Sequence, residues 1–177
     1  MPVDRRYSAS MPNADESRPA PTAALKSGHL RDLDPVTVYR IAQLREAVFD
    51  LEQGVTDADL DGRELEDGTT LLWFELPADG DGAGEVVAHI RVLTEADEAM
   101  RIGRLAVRQD CRRDGYGGRI MRAALDLTEQ LHPAWPVRID AQAYLEQWYL
   151  GMGYETVGEV FLEGGIEHVP MVYRHGR

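Results

Sequence analysis

The chain has 177 residues, enough for one domain with a buried core and too few for two full ones. Its formal net charge is -12 with no block of consecutive lysines and arginines, which excludes a sequence-independent grip on nucleic acid phosphates and leans toward cationic partners. The one cysteine, Cys111, cannot close an intrachain disulfide, no stretch has a signal-peptide core or the length to span a bilayer, and the five histidines lack zinc-ligand spacing. The expected protein is therefore cytoplasmic, with no membrane, nucleic acid or metal partner.

Residues 1–26 are rich in Pro, Ala, Ser, Asp and Arg and nearly free of large apolar side chains, so a disordered leader is expected ahead of a domain covering 27–177. Asp4, Asp15 and Glu16 argue against a transit peptide. Asp34 caps and Pro35 opens a first helix, with Val38, Ile41, Leu44, Val48 and Leu51 on one face and Gly54 at its end. After the acidic stretch 57–67, residues 70–76 read as a strand that turns at 79–84 into a second, 85–93. Alternation there puts Val86, Ala88, Ile90 and Val92 on one face and Val87, His89, Arg91 and Leu93 on the other. Residues 101–107 make a third strand.

A helix then runs to Leu131 through Ile120, Met121, Ala124 and Leu127, stopped by His132-Pro133. Residues 137–141 form a short strand and 145–152 a short helix. Residues 154–162 and 167–174 form a terminal hairpin turning at Gly164-Gly165. This order predicts a mixed α/β domain: one mostly antiparallel sheet, a single parallel strand pair around the central helix, and helices on both faces.

The stretch "RRDGYGGRIMRAAL", residues 112–125, places three glycines in four positions directly before that helix. A strand, a glycine-rich loop and a helix start make an anion site, because free backbone amides point outward and the helix dipole favours negative charge. The dinucleotide motif fails because Ile120 stands where a third glycine is required, and the P-loop fails for want of Gly-Lys-Ser/Thr.

Arg112-x-x-Gly115-x-Gly117, preceded by "GRLAV" and followed by an amphipathic helix, resembles the pyrophosphate loop of the GNAT superfamily of acetyl-CoA-dependent N-acetyltransferases. The later segment "AQAYLEQWYLGMGYETVGEVFLEGGIEHVPMVY" carries a Tyr-x-x-x-Gly-Tyr element from Tyr149 to Tyr154 that is similar to a GNAT element. With "QLREAVFDLEQG" and "GGIEHVPM", residues 36–174 resemble the small ElaA-like branch of that superfamily.

The resemblance implies a GNAT fold whose parallel strand pair splays, and direct transfer of acetyl from acetyl-CoA to a primary amine of a small molecule or peptide. The alternative is a non-catalytic acetyl-CoA sensor on the same fold. Implied coenzyme contacts are the strand residues Leu105, Ala106 and Val107, one of whose amides would polarise the thioester carbonyl. The loop Arg112, Arg113, Asp114, Gly115, Tyr116, Gly117 and Gly118 would hold the pyrophosphate, and Gln142 the pantetheine arm. Tyr149 would be the general acid for the departing thiolate, since a phenol has a proton to give and an ordinary pKa of about 10.

The acceptor would meet Glu52, Gln53, Asp59, Asp61 and His168, with Arg45 and Arg91 as structural ion-pair partners. Tyr144 and Tyr154 are expected in the core. Cys111 is assigned no nucleophilic role, because no base is identifiable beside it and the family transfers directly. An exposed edge strand and the terminal hairpin leave a homodimer open.

Overall fold

In the computed structural model, which describes residues 22–78 and 84–176, Asp34 starts the first helix as the sequence predicts. Its carboxylate accepts from the amides of Val36 and Thr37, both at 3.0 Å, ahead of α1 (Pro35–Arg45). From Glu46 to Glu52 the chain widens into π-helical turns, and the Gln53 N–H donates to the Val48 carbonyl five residues back, at 3.1 Å. Each residue then advances through a smaller angle than in an α-helix. Leu51, expected on the buried face, is consequently 78% exposed.

The sheet order is β1 (Ala24–Gly28), β2 (Thr70–Leu76), β3 (Glu85–Glu95), β4 (Ala99–Val107), β5 (Val137–Gln142), β8 (Ile166–Tyr173), β6 (Glu155–Thr156), with β7 (Phe161–Glu163) also on β8. Strand β1 (Ala24–Gly28) pairs antiparallel with β2 (Thr70–Leu76), which corrects the expected end of the leader; residues 1–21 lie outside the described residues. The side chains of β1 are almost all exposed, so backbone pairing at a sheet edge holds it and no apolar pattern announces it. The turn expected at 79–84 falls outside the described residues except for Gly84.

Strands β2, β3 (Glu85–Glu95) and β4 (Ala99–Val107) follow as an antiparallel meander. The β2–β3 register slips between Phe74 and Glu75, which flips one end of β3. Val86 packs on the α1 side with Leu71, Trp73, Ile41 and Leu44. Val87 joins Ala88, Ile90 and Val92 beneath α2 (Tyr116–Leu131). The strict alternation expected for this strand is thus broken at Val87.

Helix α2 covers the second face with Tyr116, Ile120, Met121, Ala124, Leu125 and Thr128, while Leu131, in its last turn, is half exposed. Strand β5 (Val137–Gln142) runs parallel to β4 but pairs only at Met100–Val137 and Arg101–Arg138, and beyond that point the two strands separate. Strand β8 (Ile166–Tyr173) closes against β5 after α3 (Glu146–Leu150).

The arm expected as one strand is two, β6 (Glu155–Thr156) and β7 (Phe161–Glu163), both antiparallel to β8. Pro170 of β8 has no N–H to donate, and its ring sits where a Cβ on Gly158 would be 2.6 Å away, so the ladder lapses there.

Candidate active site

Where β4 and β5 part, a cleft of about 1160 Å³ opens between the start of α2, the end of β5, the π turns and the terminal hairpin. Its floor on one side is the glycine loop. Gly115 takes a left-handed conformation, φ 80°, and leads into α2 with no side-chain cap, whereas the same chain caps α1 with Asp34. The first-turn amides of Tyr116, Gly117 and Gly118 have no helical carbonyl one turn back to donate to.

A Cβ added to Gly117 would meet only Val107 Cγ2, at 3.7 Å, so the chain's own packing does not require glycine at this position. Glycine in a helix costs about 1 kcal/mol relative to alanine. Without a side chain at this position the first-turn amides stay approachable from the cleft.

Strand β4 supplies the facing edge. The Arg108 N–H donates to Val87 O at 2.9 Å, so by antiparallel alternation Ala106 also faces β3, while the peptide groups of Leu105 and Val107 face the splay. Arg112 Nε donates to Val107 O from the open side at 3.2 Å. Of the three strand residues expected against coenzyme, Leu105 and Val107 line the cleft, and Ala106 is buried under α1. Of the loop residues, Arg112, Arg113, Gly115, Tyr116, Gly117 and Gly118 line it, and the exposed Asp114 does not.

Tyr149, on α3, lines the cleft with its ring wedged edge-on against Trp148 and Tyr154, centroids 4.7 and 5.6 Å away. Burial raises its phenol well above the ordinary value, so it stays protonated across the neutral range. Tyr154 is core as expected, its hydroxyl donating to Met121 Sδ. Tyr144 is not: it is 70% exposed at the cleft and donates to Gln142 Oε1 at 2.7 Å. Burial pushes the Cys111 thiol up, the opposite of what an activated nucleophile needs.

The acceptor-side residues are brought to the same cleft, but most are engaged. Glu52 accepts from both terminal nitrogens of the Arg112 guanidinium at 2.6 Å, and this pairing holds its carboxyl below the usual range. An expected acceptor residue and an expected phosphate residue are therefore partners. Gln53 and Gln142 exchange amide hydrogen bonds at 2.9 and 3.4 Å, tying the π turns to the end of β5. His168 lines the cleft and donates from Nδ1 to Ile166 O at 2.9 Å.

Asp59 and Asp61 anchor a buried charge network. Arg45, 2% exposed, donates to Asp59 and Glu64 at 2.7 and 2.6 Å. Arg91 donates to Asp61 and Glu64 at 2.6 and 2.7 Å, and Arg104 reaches Asp59 at 2.9 Å and Asp61 at 3.2 Å. The acidic stretch is thus a folded loop in which Asp59, Asp61 and Glu64 are matched from α1, β3 and β4, and Arg45 and Arg91 are the ion-pair partners expected.

Burial acts to raise the Asp61 carboxyl, but the Arg91 hydrogen bond and neighbouring charges outweigh it and bring it from 3.8 down to about 2. A lowered folded pKa gives stability that is present above 3.8 and lost as pH falls through about 2. Denaturation midpoints of wild type and Asp61→Asn are expected to differ above that window and to converge below it.

Arg104 at the cleft and His89 behind it carried no sequence signal. Arg104 has φ 55°, a left-handed conformation that an arginine does not advertise as glycine or asparagine would. His89, 0% exposed, reads simply as a strand residue. Among the described residues no group of three or more His, Cys, Asp or Glu is placed to hold a metal ion, and no helix is long and apolar enough to cross a membrane.

Residues 45–175 match the family model described as an acetyltransferase (GNAT) domain. A UPF0039 protein of Mycobacterium tuberculosis is 38% identical over 154 residues, 85% of this chain and 93% of that protein. Protein ElaA of Escherichia coli is 34% identical over 146 residues, 81% of this chain and 91% of that protein. The crystal structure of E. coli ElaA superposes with a TM-score of 0.76, covering 86% of this chain and 99% of the other. An acyl-CoA N-acyltransferase from Pseudomonas aeruginosa superposes with the same score and coverage at 31% identity.

Proposed function

Taking as premise that the chain belongs to the GNAT acetyltransferase family, we propose that it moves an acetyl group from acetyl-CoA directly to a primary amine of a small molecule or peptide. The fold is one that transfers acyl groups from acyl-CoA. The observation that carries the finer reading is the meeting, in one cleft, of an uncapped glycine-rich helix start, the outward peptide edge of β4 and the protonated phenol of Tyr149.

The residues fit the co-substrate. Amides of Tyr116, Gly117 and Gly118 suit an anionic pyrophosphate, with the positive end of α2 behind them. The Leu105 and Val107 peptide groups suit an amide-bearing arm laid along β4 as an added strand. Bound there, acetyl-CoA supplies an acetyl thioester whose carbonyl accepts a negative charge as an amine attacks. An outward β4 amide would meet that charge with a preset dipole. Tyr149 would give its proton to the departing sulfur, and the acceptor nitrogen must arrive neutral, shedding its own proton to water. Glu52 and Gln53 border the side from which the amine approaches. Glu52 is freed for it when Arg112 turns to a phosphate.

Calorimetric titration with acetyl-CoA, with ADP for comparison, tests this reading. Micromolar binding well above that of ADP is expected, because the pantetheine arm is bound as well as the phosphates. Thiol release with one of a panel of amines would then establish turnover. Binding with no turnover on any amine would favour the sensor, and no binding would remove both readings.

A further inference from the structure

We propose that His89 is a positioning residue for acyl transfer: by donating from Nδ1 to the carbonyl of Arg104 it clamps the bulge in β4 that turns the Leu105 and Val107 peptide groups into the splay. The proposal rests on the reading of β4 as the coenzyme strand. Its starting point is the register of β3 and β4. Ala88 faces Val107 and His89 faces Ala106, but Arg91 faces Gly103, so Ile90 alone opposes both Arg104 and Leu105.

The extra residue decides which peptide groups face outward. Val87 is a position that bonds across the ladder, since its carbonyl accepts from Arg108 N–H. Without the bulge, Val107 would slide opposite Val87 and its peptide groups would be spent on β3, presenting Ala106 to the cleft instead. The bulge is strained, because Arg104 sits at φ 55° without being glycine, and a strained turn persists only where its surroundings hold it.

Arg104 is held at both ends. Its guanidinium is paired with Asp59 and Asp61 at the cleft, and its carbonyl lies 3.2 Å from His89 Nδ1 on the buried side. A carbonyl only accepts, so Nδ1 carries the hydrogen. Burial first, and then the charges of Arg45, Arg91 and Arg104, bring the ring down to about 3, so it is neutral. A neutral ring protonated at Nδ1 leaves Nε2 as a bare acceptor, and this atom is buried without a partner.

An orphaned acceptor in a fully buried site is a cost that leucine or phenylalanine would avoid. The residue that bears it does so for the bond at its other nitrogen. His89 neither lines the cleft nor reaches solvent, so it acts through Arg104 and not on substrate.

Two substitutions separate a donor role from a filling role. His89→Asn places an amide nitrogen near the Nδ1 position, and His89→Gln places one near Nε2 while keeping more of the volume. With acetyl-CoA and an accepted amine, His89→Gln is expected to lose about 30-fold in kcat with KM for acetyl-CoA within about threefold, and His89→Asn to stay within about threefold of wild type in both. Amide hydrogen exchange over 103–106 is expected to quicken in His89→Gln and to keep its wild-type rate in His89→Asn.

Equal exchange in the two variants, or glutamine serving as well as asparagine in kcat, would overturn the clamp. A wild-type protein that acetylates no amine would remove the acyltransferase reading, and the exchange comparison would still uphold or overturn the clamp.

Discussion

Replacing Gly117 by valine is expected to raise KM for acetyl-CoA about 50-fold while leaving the fold and its denaturation midpoint unchanged. A Cβ there meets only Val107 Cγ2 at van der Waals distance, and valine is no worse a helix former than glycine, so little loss of stability is expected. What changes is access: two methyl groups would stand before the first-turn amides of α2. Steady-state kinetics and calorimetry with acetyl-CoA check this, and Gly117→Ala should show a smaller rise in the same direction. An unchanged KM would mean that the loop is only a helix entry.

Removing one oxygen from Tyr149 should have an effect of similar size on a different constant. Tyr149→Phe keeps the edge-on ring contacts with Trp148 and Tyr154 and deletes the hydroxyl alone, so kcat is expected to fall about 100-fold with KM for acetyl-CoA nearly unchanged. The raised phenol supports this role, because a general acid must hold its proton until the sulfur takes charge. Full activity in the phenylalanine variant would take Tyr149 out of the mechanism. The two variants together separate binding from chemistry within one cleft.

Much of this was legible in the chain itself. Asp34-Pro35 marks a helix start by local chemistry, the strand Thr70–Leu76 is bounded as its composition predicts, and the glycine loop lies where an uncapped helix needs it. Other features left no local trace. Strand β1 is held by backbone pairing, and its mostly exposed side chains carry no apolar pattern. Glu52 and Arg112 stand 60 residues apart, so nothing nearby in sequence says that a candidate acceptor carboxylate and a candidate phosphate ligand share a bidentate ion pair.

The sequence alone determined most of the element types, the two-sided sheet and the place of the glycine loop, because apolar periodicity, caps and glycine clusters act over a few residues. Only the tertiary structure decided which carboxylates of the 57–67 stretch are matched, that Tyr144 lines the cleft, and which peptide groups of β4 face the splay. Those outcomes depend on registers and ion pairs between distant segments. One extra residue opposite Ile90 is enough to reverse the last of these, because it shifts every later pairing of β4 by one position.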